Sequence, residues 1–170
     1  MPELEGSMDG AGMRVCVVVA RWNEFITKQL LEGAVTTLRE RGLRELDVTT
    51  VWVPGAFEVP TAAKWAAENG RFDAVVCLGA VIRGETAHFE YVAGGAAEGI
   101  RAVSLGTGVP VIFGVLTVDN VEQALSRTGG KDGHKGSESA LAAIEMVNLL
   151  KTIREGLKAK VSEFGFPGTI

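Results

Sequence analysis

Residues 14–20 read Arg14-Val15-Cys16-Val17-Val18-Val19-Ala20, an almost unbroken β-branched run with no polar alternation. A strand that is apolar on both sides of its pleat fits a parallel sheet covered by helices on each face. Helical and strand patterns then alternate along the rest of the chain. Residues 25–41 set Phe25, Ile26, Leu30, Leu31, Ala34, Val35 and Leu38 at helical spacing, and Gly42 stops them. Residues 47–53 read as a strand and 58–69 as a helix ended by Gly70. Residues 73–82 are a strand, and 87–104 a helix containing the small-residue stretch AGGAAEG. Residues 109–117 are a strand, 119–127 a short helix, and 136–155 a longer helix striped by Ala140, Ala143, Ile144, Val147, Leu150 and Ile153. Strands separated by helices require crossover connections, so the expected fold is a flavodoxin-like three-layer α/β/α sandwich with a four-stranded parallel sheet.

Composition narrows the function. The 170 residues are 46% hydrophobic, enough for a real core. Seventeen Lys and Arg against twenty-one Asp and Glu give a net charge of −4 without a basic block, which argues against nucleic-acid binding. No apolar run approaches the ~20 residues that span a bilayer, so no membrane partner is expected. The acidic opening MPELEGSMDGAG lacks the hydrophobic stretch of a signal peptide, so a cytoplasmic location is expected. Cys16 and Cys77 fall inside strands as small reduced core residues, and no His and Cys cluster has metal-ligand spacing. Residues 1–12 are expected as a flexible N-terminal tail, 13–155 as one domain, and 156–170 as a C-terminal tail available to dock on a neighbour.

In a parallel α/β sheet, ligands bind at the carboxyl ends of the strands. Four segments are expected there: Arg21-Trp22-Asn23, Pro54 to Glu58, Arg83 to His88, and Phe113 to Thr117. In GETAHFEY, Gly84 lets the backbone bend and Thr86 is placed to cap the next helix. The unpaired N–H groups of its first turn then suit a phosphate. His88 lies in that turn, where the positive helix end disfavours imidazolium and favours a neutral proton acceptor. Trp22 and Phe57 are spaced to sandwich a planar ring, with Glu58 beside them to orient polar ring substituents. Arg127, Lys131 and Lys135 flank glycines in RTGGKDGHKG, on a loop expected to be flexible, and His134 there reads as solvated. Dinucleotide, Walker, GxSxG and HExxH signatures are all missing.

Five segments together, RWNEFI, VPGAFEVP, GAVIRGETAHFEYV, FGVLT and RTGGKDGHKGSESALAAIEM, resemble the 6,7-dimethyl-8-ribityllumazine synthase family over about residues 14–154. The resemblance implies condensation of 5-amino-6-(D-ribitylamino)uracil with 3,4-dihydroxy-2-butanone 4-phosphate, with neither cofactor nor metal. It makes His88 the proton-transfer residue. Gly84, Glu85 and Thr86 would hold the phosphate, aided by Arg127 of a neighbouring subunit and by Lys135. Ala56, Phe57 and Glu58 with Ala80, Val81 and Ile82 would line the heterocycle and ribityl pocket. Trp22 would stack on the ring where the family commonly has Phe, and Phe113 of an adjacent subunit would close it. The resemblance further implies a homo-pentamer with active sites between subunits, and, given the short GGKDGHKG loop, twelve pentamers in an icosahedral shell. A non-catalytic flavin-binding relative would lack His88 or Arg127; this chain has both.

Overall fold

The structure is a computed structural model that describes residues 3–163, with side chains to residue 156. Four parallel strands, β1 (Val15–Ala20), β2 (Val48–Val53), β3 (Ala74–Ile82) and β4 (Val111–Val118), form one sheet in the order β2-β1-β3-β4. Register is continuous: Val15 to Ala20 pair with Val48 to Val53, and Val75 to Ile82 with Val111 to Val118. The helices are α1 (Glu24–Glu40), α2 (Val59–Glu68), α3 (His88–Thr107), α4 (Val121–Ser126) and α5 (Lys135–Glu163). This is the three-layer flavodoxin-like sandwich expected from the strand and helix rhythm.

The run at residues 15–20 is buried throughout because its two faces serve two cores. Val15, Val17 and Val19 pack with Ile26, Leu30 and Leu38 of α1 and with Ala140, Ala143 and Ile144 of α5. Cys16, Val18 and Ala20 face the other way, onto Val59, Ala63 and Ala67 of α2 and Ala96 and Ile100 of α3. Both thiols are free and buried, as read from the sequence. Desolvation pushes Cys16 up to about 11 and Cys77 further still, so neither is a nucleophile at neutral pH. Strand β2 lies at the edge of the sheet, and its middle residues are correspondingly exposed. Helix α1 ends where expected: Gly42, at φ +99°, turns the chain so that Leu43 N–H donates to Leu38 O at 3.1 Å.

Three local expectations are revised. The leader is not loose over its described length. Asn148 Nδ2 donates to Ser7 O (2.7 Å) and Asp9 O (2.9 Å), and Gly10 N–H donates to Arg41 O (2.8 Å). The last helix does not end at residue 155 but runs to Glu163; residues 164–170 of the expected tail lie outside the described residues. The glycine-rich loop is structured: Thr128–Gly130 (β5) pairs antiparallel with Gly133–His134 (β6). His134, read as solvated, is half-buried over Gly33 of α1, its ring occupying the space a side chain at 33 would need.

Candidate active site

The carboxyl ends of β1, β2 and β3 open onto one cavity of about 610 Å³. That volume suits a drug-sized ligand. Its base is the end of β3, Ala80, Val81 and Ile82.

One wall comes from the turn between β1 and α1. Arg21 N–H donates to Val53 O at 2.8 Å and Trp22 N–H to Pro54 O at 3.1 Å, extending the β1–β2 ladder past the sheet. The chain then reverses through Asn23, at φ 62° and ψ 45°, the one residue other than glycine with positive φ among the described residues. Asn tolerates this left-handed conformation better than most residues. Its side chain does not cap α1; Nδ2 instead donates to Ala80 O at 2.8 Å and ties this turn to β3. The result presents Trp22 to the cavity with 75% of its surface exposed, a large apolar surface that the other described residues leave uncovered.

The second wall is Pro54 to Glu58 leading into α2. Phe57 lies against α3, where Gly95 leaves room for its ring: a Cβ there would fall 2.5 Å from Phe57 Cε2. Pro60 uses Gly99 in the same way. The small-residue stretch of α3 thus has a structural task, admitting α2 closely enough to carry Phe57 and Glu58 to the cavity rim.

The third wall is the β3–α3 connection and the first turns of α3. Gly84, Thr86 and His88 line the cavity, and His88 is the first residue of α3. Thr86 is not the cap: Ala87 holds that position without a side-chain bond, and Thr86 Oγ1 accepts only a long 3.4 Å contact from His88 N–H. Glu90 N–H donates to Ala87 O at 3.2 Å, while the N–H groups of Glu85, Thr86, Ala87 and Phe89 have no partner among the described residues, as phosphate binding requires. Arg83 stands just behind, bonded to Asp119 Oδ1 at 2.9 Å and to Glu90, with its guanidinium 4.1 Å from the Phe89 ring centroid. The hydrogen bond from Arg83 holds the Glu90 carboxyl below the usual carboxylate range.

Ten residues singled out from sequence therefore meet in one place: Trp22, Ala56, Phe57, Glu58, Ala80, Val81, Ile82, Gly84, Thr86 and His88. Four others do not line this cavity. Glu85 is exposed on the loop. Phe113 was expected at a carboxyl end but pairs with Cys77 well inside β4, and 40% of its surface is exposed on the sheet edge. Arg127 follows α4 and is exposed, while Lys135 is engaged with Glu138 Oε2 at 2.9 Å. Tyr91, Val92 and Phe89 line the cavity and were not proposed from sequence. Spacing could have found two of them, because residues three and four beyond His88 share its helix face. Among the described residues, no group of three or more His, Cys, Asp or Glu is placed to hold a metal ion, and no helix is long and apolar enough to cross a membrane.

A doubly wound sandwich with an aromatic-walled cavity where its parallel strands end defines a small-molecule α/β protein. Within that class the assignment is direct: the family model for 6,7-dimethyl-8-ribityllumazine synthase matches residues 12–151, and the chain belongs to that family. It is a transferase with a lumazine synthase role in riboflavin biosynthesis.

Proposed function

We propose that the chain condenses 5-amino-6-(D-ribitylamino)uracil with 3,4-dihydroxy-2-butanone 4-phosphate to give 6,7-dimethyl-8-ribityllumazine. The amine attacks the ketone and one water leaves to form an imine. Phosphate is then eliminated, and ring closure expels a second water. Family membership supports the reaction. The observation that carries the residue roles is the single cavity shared by Trp22, Phe57, Glu58 and His88.

Trp22 and Phe57 give the flat heterocycle two apolar surfaces, and Glu58 orients its polar edge. Ala80, Val81 and Ile82 support the ribityl chain. Gly84 and Thr86, with the backbone N–H of Glu85, seat the phosphate against the free amides at the start of α3. His88 moves protons between the condensing amine, the ketone oxygen and the leaving groups. Holding the two reactants together replaces a bimolecular encounter, worth up to ~7–11 kcal/mol when geometry is favourable. The chemistry asks for little else from the protein.

The site is shared between copies in this reading. Phe113, Arg127 and Lys135 lie away from their own chain's cavity, so they serve a neighbour: Phe113 closes the heterocycle, and Arg127 and Lys135 bind phosphate. The active form is a homo-pentamer, assembled further into a shell of twelve pentamers, and it acts in the cytoplasm.

Mixing the purified protein with both substrates tests the reaction by the rise of lumazine absorbance and fluorescence. An assembled protein that makes no lumazine would overturn it. Sedimentation of the active species tests the sharing, and full activity in a monomer would refute it.

A further inference from the structure

The β3–α3 connection has few bonds of its own. Among the described residues, the only side-chain hydrogen bond from residues 84–87 is the long Thr86 contact, and a Cβ at Gly84 would meet nothing within 4 Å. A seat made of backbone amides works only if those amides are held in place beforehand, since ordering them on binding subtracts from affinity. Something outside the loop must hold it.

We propose that Arg83 is a positioning residue that brackets this loop from both ends and thereby presets the phosphate seat. Its backbone N–H donates to Val118 O at 2.8 Å, which anchors the start of the loop to β4. Its side chain bonds Glu90, in the first turn of α3, and anchors the far end. A second donor nitrogen, Nε, bonds Asp119 Oδ1 at 2.9 Å and fixes the guanidinium against the β4–α4 connection. The plane also lies over Phe89, the cavity-lining neighbour of His88. One rigid fork therefore constrains a loop end, a helix start and an aromatic wall, a geometry that suits Arg and that Lys reproduces only in part. None of these atoms needs to touch substrate.

The inference rests on the assignment of the loop to phosphate binding, and its test separates the two. KM for each substrate is measured in the wild type and in Arg83→Met, Arg83→Lys and Glu90→Gln. Wild-type turnover establishes the reaction whatever the variants do. Arg83→Met is expected to raise KM for the phosphorylated substrate about 10-fold and to leave KM for the ribitylaminouracil within about 2-fold, the scale of partly exposed charge-assisted bonds. Arg83→Lys is expected to recover part of the loss. Glu90→Gln, which keeps the cation but loosens the bracket, is expected to raise the same KM by a smaller factor.

Equal effects on both substrates would overturn the proposal, as would an unchanged KM in Arg83→Met. A fall of KM in Glu90→Gln would also overturn it, because a freed guanidinium would then be contacting phosphate itself. Amide hydrogen exchange over residues 84–89 gives a readout independent of activity. It is expected to quicken in Glu90→Gln and Arg83→Met while exchange in β1 and β3 stays unchanged; a loop as protected as in the wild type would refute the bracket. Should Arg83→Met fail to assemble, Glu90→Gln and Arg83→Lys carry the same comparison.

Discussion

Asn23 concentrates in one residue the link between backbone geometry and the site. Its φ of 62° is in the left-handed region, and its Nδ2 donates at 2.8 Å to Ala80 O, fifty-seven residues away. Two replacements separate these contributions. Asn23→Gly keeps the backbone accessible and removes the hydrogen bond, so it should cost about 1 kcal/mol. Asn23→Ala removes the same bond and also replaces a residue that visits the left-handed region readily with one that visits it less readily, so it should cost more than the glycine variant, up to ~2–3 kcal/mol in total. Urea unfolding at one fixed protein concentration measures both, since oligomer stability depends on concentration. The site should respond as well. Trp22 is braced by the turn that Asn23 closes, so both variants should raise KM for the ribitylaminouracil, the alanine variant more. Equal destabilisation by glycine and alanine would show that the left-handed backbone costs nothing here, and the reasoning would fail. An unchanged KM in both would show that the turn does not place Trp22.

Replacing His88 by alanine should slow turnover roughly 10–100-fold without abolishing it, the lower range for one acid–base group; steady-state rates of an intact assembly check this, and complete loss would mean the imidazole does more than move protons. Arg127→Ala should raise KM for the phosphorylated substrate by about 10-fold or more while sparing the heterocycle, as expected for a charge-assisted phosphate contact, and equal losses would contradict that role. Acid stability should report the Arg44–Asp47 pair, in which Arg44 Nε donates to Asp47 Oδ2 at 2.6 Å and holds that carboxyl below its ordinary value. A depressed folded-state value means the stabilisation is present above the unfolded value near ~3.9 and is lost as pH falls through the folded one. Asp47→Asn should therefore be less stable at neutral pH, with the gap to wild type closing below about pH 4; thermal unfolding across that range would show a constant gap if the pair contributed nothing.

The strand and helix order was readable because burial on two faces leaves a compositional mark. The Val-rich run of β1 could only be central, whereas Thr49, Thr50 and Val51 carry no sign in composition that β2 would be an edge strand. The errors fall where local sequence and tertiary contact disagree. Residues 156–170 hold too few apolar groups for an element of their own, yet α5 runs on to Glu163. The leader looks like a solvated tail, yet Asn148 ties it down from 139 residues away, a contact that nothing local announces.

The site divides along the same line. Residues that come directly after strands, such as Trp22, Phe57 and His88, could be placed together because the carboxyl end of a parallel sheet is a predictable location. Arg83 comes after a strand too, but its partners lie seven and thirty-six residues away, and only the fold brings Glu90 and Asp119 to one guanidinium. Phe113 was misplaced for the opposite reason. The segment from Phe113 to Thr117 was expected at the rim, but the carboxyl end of β4 is Val118, so residue 113 pairs with Cys77 in the body of the sheet. There its exposed ring does not line its own cavity, while 75% of Trp22 lies open on a surface that no other described residue covers. In the proposed shared site the two aromatics belong together: the ring left open at the cavity of one copy would be closed by the ring on the sheet edge of the next.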